Sequence, residues 1–452
     1  MMQRKLVYLA AAMLVGFLIG DVSAQEKPAA QFVLPETDEG LAGDGPIRRY
    51  PWFQDVWNER RTSFAKNAEA KKGSVVFLGD SITQGWSDDF GGAFAGMNAA
   101  NRGISGDTTR GMLLRLKEDI LDLEPAAVVM LMGTNDLEEK AEPETIAGNV
   151  QLIIGALKKS NPKMPIIWCH VFPSSAGMRR PVEKIKKINQ LCAAAVKGDS
   201  QITVLDTWTL FANKAGDAKK EEFPDLLHPN KLGYEKWELA LKPVLESKGL
   251  MPTKADDFQC EQGFEKLFNG EDLDGWGYRR TSDQMRKSAA RWQSRSKDAP
   301  AWPFVDEPVM FDDKTVTPEG RYLANNGRLV VMTPPEGRKI QQIWTQKEFA
   351  GDFELILEFR ATPNADSGIF LRGPQLQCRD FALAGPYKKL KKYRSGHWNE
   401  IIIKVKGETA LVTCNGEVIE KAMKVPTKKG PIGLEGDRGQ VEYRRIRIKQ
   451  AD

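Results

Sequence analysis

The stretch FLGDSITQG, residues 77–85, decides how this chain reads. An apolar run, Val75–Leu78, stops on Gly79 and Asp80 and then presents Ser81. A buried strand that ends on a small residue and turns sharply exposes the next side chain at the edge of its sheet. The same residues also serve as a plain turn. The choice between nucleophile and turn rests on what the other strands deliver to that edge.

Further apolar runs occur at Ala127–Met132, Ile166–Val171 and Ile202–Leu205, separated by amphipathic stretches. In one of these, Ile146, Val150, Ile153, Ile154 and Leu157 recur at helical spacing, which predicts one apolar face against a sheet. Continuous apolar strands alternating with helices predict a parallel sheet covered on both faces, a doubly wound α/β domain. Its expected bounds are residues 51–247. Beyond a polar linker at 248–262 the period changes. In FELILEFR, Phe353, Leu355, Leu357 and Phe359 alternate with Glu354, Ile356, Glu358 and Arg360, as in a half-buried strand. Asn415-Gly416 between two strand-like runs is a hairpin signal, because both residues accept positive φ. Short strands with turn signals predict an all-β sandwich over 263–452. Residues 279–320, polar and basic, read as a long irregular surface insertion.

Ligands of parallel α/β sheets lie beyond the carboxyl ends of the strands. There the chain places Ser81, then NRGISGDTT (residues 101–109), GTND (133–136) and DLLHPN (225–230). A serine hydroxyl needs a base to become a nucleophile, and histidine is the usual one near neutral pH. An acid on the other ring nitrogen fixes the tautomer. Asp225 and His228, three residues apart, have the spacing to face Ser81 together. The backbone N–H groups of Ser81 and Gly103 and the Asn135 amide are candidate oxyanion donors. Each piece alone has a plainer reading. Gly103 and Gly106 permit tight turns, and Asn135 and Asp225 suit helix caps. His170, at the end of an apolar strand, competes as the base or is structural; His397 reads as a turn residue of the other domain.

GDSIT, NRGISGDTTRGMLLRL, GTND and LLHPNKLGY together resemble the blocks of the SGNH (GDSL-type) hydrolases. They look closest to the branch of platelet-activating-factor acetylhydrolase catalytic subunits and carbohydrate acetylesterases. The resemblance covers about residues 50–247 and implies a three-layer flavodoxin-like fold and metal-free ester hydrolysis without a cofactor. By residue it implies Ser81 as nucleophile, Asp225 and His228 as the acid–base pair, and Gly103 and Asn135 as oxyanion donors.

FEKLFNGEDLDGW, DFELILEFRATPNADSGIFLRGPQLQCRD and GPIGLEGDRGQVEYRRIRI resemble the 3-keto-disaccharide hydrolase domain family. That implies a concanavalin-like jelly roll that binds or cleaves glycans. Where many members carry His after the GPIGL segment, this chain has Glu435-Gly436-Asp437. Trp276, Arg372, Gln377, Arg379 and Asp380 are the candidate sugar-binding set, the alternative being a strand-edge ion network around a core tryptophan. The expected function is therefore an esterase removing O-acetyl groups from carbohydrate. Two alternatives stand beside it: 3-keto-glycoside cleavage as the principal activity, and lipid-type acetyl ester hydrolysis with the sandwich as a glycan-binding module.

Composition bounds the rest. The chain has 452 residues, 65 basic and 61 acidic, for a net charge of +4. That balance predicts no nucleic-acid partner. Arg4 and Lys5 precede an apolar run, Leu6–Ile19, and Val22-Ser23-Ala24 has cleavage-site character. Residues 1–24 therefore read as a signal peptide, too short for a span, with 25–50 as a leader and a secreted or periplasmic destination. After cleavage no membrane span is expected. The five cysteines match no metal spacing, so no metal site is expected, and a Cys378–Cys414 bridge is left open.

Overall fold

The computed structural model of the chain describes residues 32–295, 304–332 and 341–451. The expected signal peptide lies outside the described residues. Among them, no helix is long and apolar enough to cross a membrane.

The first half begins with helix α1 (Pro51–Asn67), then β1 (Val75–Gly79), α2 (Ser81–Gln84), β2 (Ala99–Gly103), α3 (Thr109–Asp119) and β3 (Ala127–Leu131). It continues through α4 (Thr134–Glu138), α5 (Pro143–Ser160), β4 (Ile166–Cys169), α6 (Val182–Ala195), β5 (Ile202–Leu205), α7 (Thr207–Phe211) and α8 (Lys231–Ser247). The five strands form one parallel sheet in the order β2-β1-β3-β4-β5. Alternating strand side chains divide the core between the two faces. Val76, Leu78, Val128 and Met130 pack with Met112 of α3, Ile146 and Val150 of α5 and Ile188 of α6. Phe77, Val129 and Ile167 pack on the other face with Trp86, Phe94 and, from α8, Trp237 and Leu241. The expected leader is in part a packed strap: Leu34 and Ile47 join Phe53, Trp57, Phe64 and Ile104 in a separate cluster.

The β2 strand, AANRG, is not among the apolar runs, yet it forms one edge of the sheet. Its polar side chains are buried because their hydrogen bonds are met. Asn101 Nδ2 donates to Thr83 O at 2.7 Å and Ser87 O at 2.8 Å, and Arg102 donates to Asn67 Oδ1 at 2.9 Å.

The second half is a sandwich of an eight-stranded and a six-stranded sheet. The strand Phe353–Ala361 buries Phe353, Leu355, Leu357 and Phe359 in the core between them. Asn415 (φ 47°) and Gly416 (φ 78°) turn the antiparallel hairpin Thr409–Cys414/Glu417–Lys424. The 279–320 stretch is not irregular throughout: Asp283–Arg295 is a helix, built from good helix formers, with Ala289 its one buried residue. All five cysteines are free, so Cys378 and Cys414 are separate buried thiols.

The two halves meet across a buried charge cluster. Glu246, near the end of α8, pairs with Arg328 at 2.6 Å and with Arg360. Glu442 pairs with the same arginines at 3.4 and 2.7 Å. Gln440 Nε2 donates to Pro243 O at 2.9 Å. The segment 248–262 has neither helix nor strand but is pinned to the strand Val441–Gln450. Asp256 pairs with Arg445 at 2.9 Å and Glu261 with Arg447 at 2.6 Å.

Removing one member of a buried charge cluster leaves its partners unpaired, at a cost of about 3 kcal/mol. Glu246→Gln should therefore lower the stability of the full chain by about 3 kcal/mol. Urea unfolding followed by circular dichroism checks this, and a loss below about 1 kcal/mol would show that the cluster does not hold the halves together.

Candidate active site

Ser81 opens α2 directly beyond the end of β1, where the sheet's connections change direction between β1 and β3. Asp80 caps that turn, its Oδ1 accepting from Ile82 N at 2.9 Å. The two strand-end glycines make room for α2. A β-carbon on Gly79 would run into Thr83 Oγ1 and lie 2.7 Å from Leu131 O. One on Gly103 would run into Gln84 N and lie 2.8 Å from Asp80 O.

His228 reaches the same point from 147 residues away, its Nε2 lying 3.0 Å from Ser81 Oγ. Its Nδ1 is 2.7 Å from Asp225 Oδ2. Asp225 Oδ1 meanwhile accepts from the N–H groups of Leu227 at 2.9 Å and His228 at 2.7 Å. One carboxylate thus folds the turn and orients the ring. Burial pushes the Asp225 carboxyl up, but the hydrogen bonds from His228 and Leu227 outweigh it and hold it below the ordinary carboxylate value. An ionised Asp225 accepts the Nδ1 proton, which leaves Nε2 as an acceptor for the Ser81 hydroxyl. Tyr234 of α8 donates to Ile82 O at 2.8 Å and ties the helix that follows the histidine's turn to the serine's helix.

The candidate oxyanion donors divide. The N–H of Gly103 is committed to Asn101 Oδ1 at 2.9 Å, so Gly103 is not a donor; its role is the missing β-carbon. Gly106, read as a turn residue, has φ +87° and an N–H with no acceptor among the described residues. Asn135 gives one amide N–H to Asp107 O at 3.0 Å and keeps the second. Its Oδ1 accepts from Arg180 Nη2 at 3.3 Å, which fixes the amide's orientation. Arg180 is buried and also donates to Thr134 O at 3.1 Å and pairs with Glu138 at 2.9 Å. Nothing in its local sequence marked it. The Ser81 N–H belongs to the first turn of α2, where helices leave donors without internal acceptors.

The other histidines stand apart from this arrangement. His170 Nδ1 lies 3.3 Å from Asp206 at the junction of the two halves, and His397 is exposed in a turn.

The candidate sugar-binding residues of the sandwich do not form one cluster. Trp276 is wholly buried in the core with Nε1 donating to Leu267 O at 2.6 Å, so it offers no face to a ligand. Arg372 is buried over Phe353 and donates to backbone oxygens of Pro426 and Gly351. Asp380 is buried as a turn acceptor for Asn364 N at 3.1 Å. Only Gln377 and Arg379 lie on the outer face of the six-stranded sheet, alternating with core residues Leu376 and Cys378. There they adjoin Asp366, which no sequence motif singled out, and Glu435 and Asp437 of the segment that follows GPIGL. Asp366, Glu435 and Asp437 are buried with carboxylate oxygens within 4.8 Å of one another. Arg379 pairs with Asp366 at 2.5 Å and Arg438 with it at 3.3 Å. Trp344 and Phe370, 5.2 Å apart, lie on the same sheet and outside the core cluster. The alternation of core and outer residues along Asp366–Leu371 was the available signal.

Known proteins resemble both halves. Residues 77–236 match the GDSL-like lipase/acylhydrolase family, and residues 263–449 match the 3-keto-alpha-glucoside-1,2-lyase-like domain. Platelet-activating factor acetylhydrolase IB subunit alpha2 of Bos taurus is 30% identical over 216 residues, 46% of this chain and 86% of that protein. The alpha1 subunit of Rattus norvegicus is 29% identical over 204 residues, 42% of this chain and 85% of that protein. A solved GDSL-like lipase of Bacteroides thetaiotaomicron is 28% identical, covering 41% of this chain and 96% of its own, with a TM-score of 0.36.

Burial pushes the Asp80 carboxyl up to about 6, against the hydrogen bond from Ile82 and the nearby His228. Below about pH 4 both folded and unfolded chains hold this proton. Between about pH 4 and 6 the unfolded chain releases it first, so stability falls as pH rises, by about 3 kcal/mol in all. Asp80→Asn keeps the acceptor for Ile82 N–H and removes the charge. The variant should match the parent near pH 4 and exceed it in stability above pH 6, read by thermal unfolding across that range. Parallel curves for the two proteins would show that Asp80 ionises as an ordinary carboxylate.

Proposed function

The chain belongs to the GDSL-like lipase/acylhydrolase family, and from that premise we propose that its α/β half is a serine esterase removing O-acetyl groups from carbohydrate. The observation that carries the reading is the continuous Ser81–His228–Asp225 hydrogen-bond series, at 3.0 and 2.7 Å. In this mechanism His228 Nε2 takes the hydroxyl proton as Ser81 Oγ attacks the ester carbonyl. The imidazolium that forms is stabilised by Asp225. The oxyanion receives the N–H groups of Ser81 and Gly106 and the free amide N–H of Asn135. His228 then gives its proton to the departing sugar oxygen. In the second step the same base activates water, which releases the acid from Ser81.

Two features support an acetylated carbohydrate as the substrate. The relatives of the α/β half are named acetylhydrolases, and that half is fused to a domain whose family name refers to glucosides. The outer face of the six-stranded sheet supports a second reading for the sandwich, as a glycan-binding or glycan-cleaving domain. Its buried carboxylates, amides and flanking Trp344 and Phe370 suit a hydroxyl-rich ligand. We further take the protein to be exported, on the basic, apolar and small-residue order of residues 4–24.

Release of acetate from an acetylated xylan by the full chain tests the proposal. Ser81→Ala should reduce that release, and hydrolysis of 4-nitrophenyl acetate, to background while the protein stays folded. Asn135→Ala should lower kcat by about 10²–10³-fold. Undiminished ester turnover in Ser81→Ala would end the proposal, and glycoside cleavage persisting in that variant would belong to the sandwich.

A further inference from the structure

We propose that Tyr50 and Trp52 form a platform for a sugar ring at the rim of the esterase site, holding the pyranose of the acylated carbohydrate. The proposal rests on the esterase reading above and names how its substrate is gripped. The two aromatics stand at the start of α1, each 48% exposed, while Phe53 and Trp57 of the same helix are buried and anchor it. Their rings stack on each other, with planes 12° apart and centroids at 6.3 Å.

This stacked pair is fixed to both segments that carry the oxyanion donors. On one side Trp52 abuts Gly106: a β-carbon there would lie 2.6 Å from the indole Cη2. On the other side the attachment runs to α4, the helix of Asn135. Tyr50 Oη donates to Glu139 at 3.1 Å, and Arg48, 5.8 Å from the Trp52 ring centre, pairs with Glu139 at 2.7 Å and Glu138 at 2.5 Å. Arg48 is itself buried, so the guanidinium beside the Trp52 ring is held within the fold.

The shape selects the ligand. An acyl chain is gripped by a concave pocket that encloses it. The half-exposed face of an aromatic ring instead matches the C–H face of a pyranose, whose positive edge of hydrogens meets the negative face of the ring. Glu139, at the platform's border and partly exposed, retains acceptor capacity for a sugar hydroxyl. A ring seated there lies next to Gly106, where the ester carbonyl of the same sugar has to be bound.

The full chain and its Trp52→Ala, Tyr50→Ala and Trp52→Phe variants provide the test, with an acetylated xylo-oligosaccharide and 4-nitrophenyl acetate as substrates. The ratio of kcat/KM for the oligosaccharide to that for the aryl ester should fall at least tenfold in Trp52→Ala, through KM. Trp52→Phe should restore most of it. An unchanged ratio, or an equal loss on both substrates, overturns the platform; the second result assigns the rings a purely structural role. Calorimetric titration of the Ser81→Ala protein with the deacetylated oligosaccharide gives a readout that needs no turnover. Adding Trp52→Ala should remove or weaken one binding site at least tenfold, and identical isotherms overturn the proposal. Wild-type protein that hydrolyses neither ester removes the esterase reading, and the titration then decides the platform by itself.

Discussion

A β-carbon at Gly79 or at Gly103 has nowhere to go, and the catalytic edge depends on that. The two residues face each other in the β1–β2 register, and α2 lies across both so closely that backbone and the Thr83 side chain fill the space. The position of Ser81 is therefore set by strand backbones rather than by a flexible loop. Once α2 is fixed, Tyr234 can bond its backbone, and the turn before α8 delivers His228 to the serine. Asp225 closes the arrangement by capping its own turn with one oxygen and holding the ring with the other. A catalytic group held on rigid elements loses little to reorganisation as the reaction proceeds.

The apolar runs made the α/β half legible because fully buried parallel strands have no polar face to interrupt them. The same criterion hid β2, whose Asn101 and Arg102 are buried on hydrogen bonds that periodicity does not register. Glycines posed a different difficulty. A glycine in a sequence does not say whether its N–H, its positive φ or its lack of a side chain is being used. At Gly103 the last is used, and at Gly106 the φ of +87° is. In the sandwich, strand parity was decisive. Trp276 lies on the inward face, so the aromatic that looked available to a ligand is core, whereas Trp344 lies outside that core. A one-residue change of register inverts such an assignment. Asp366 meets Glu435 and Asp437 only through the pairing of distant strands, which no local spacing announces.

The junction between the halves shows why charges are buried where apolar packing would serve. Glu246 and Glu442 share Arg328 and Arg360, and such a cluster adds little net stability over a hydrophobic replacement of the same shape. What it does is penalise every other arrangement, because a shifted interface leaves a charge buried without its partner. A second contact adds to this. Asp206 at the end of β5 accepts from Asn364 Nδ2 at 2.9 Å. Burial pushes its carboxyl up, but His170, Thr209 and Asn364 hold it down at about 2, so it stays ionised across the physiological range. Asn364 in turn accepts from Arg438, which pairs with Asp366 of the outer-face cluster. A continuous series of polar contacts therefore runs from a strand end of the α/β sheet to the carboxylates of the sandwich. Rotation of one half against the other would break charged contacts at both places together. The junction therefore fixes the orientation of the two halves through charged contacts at two places rather than leaving them as modules on a tether.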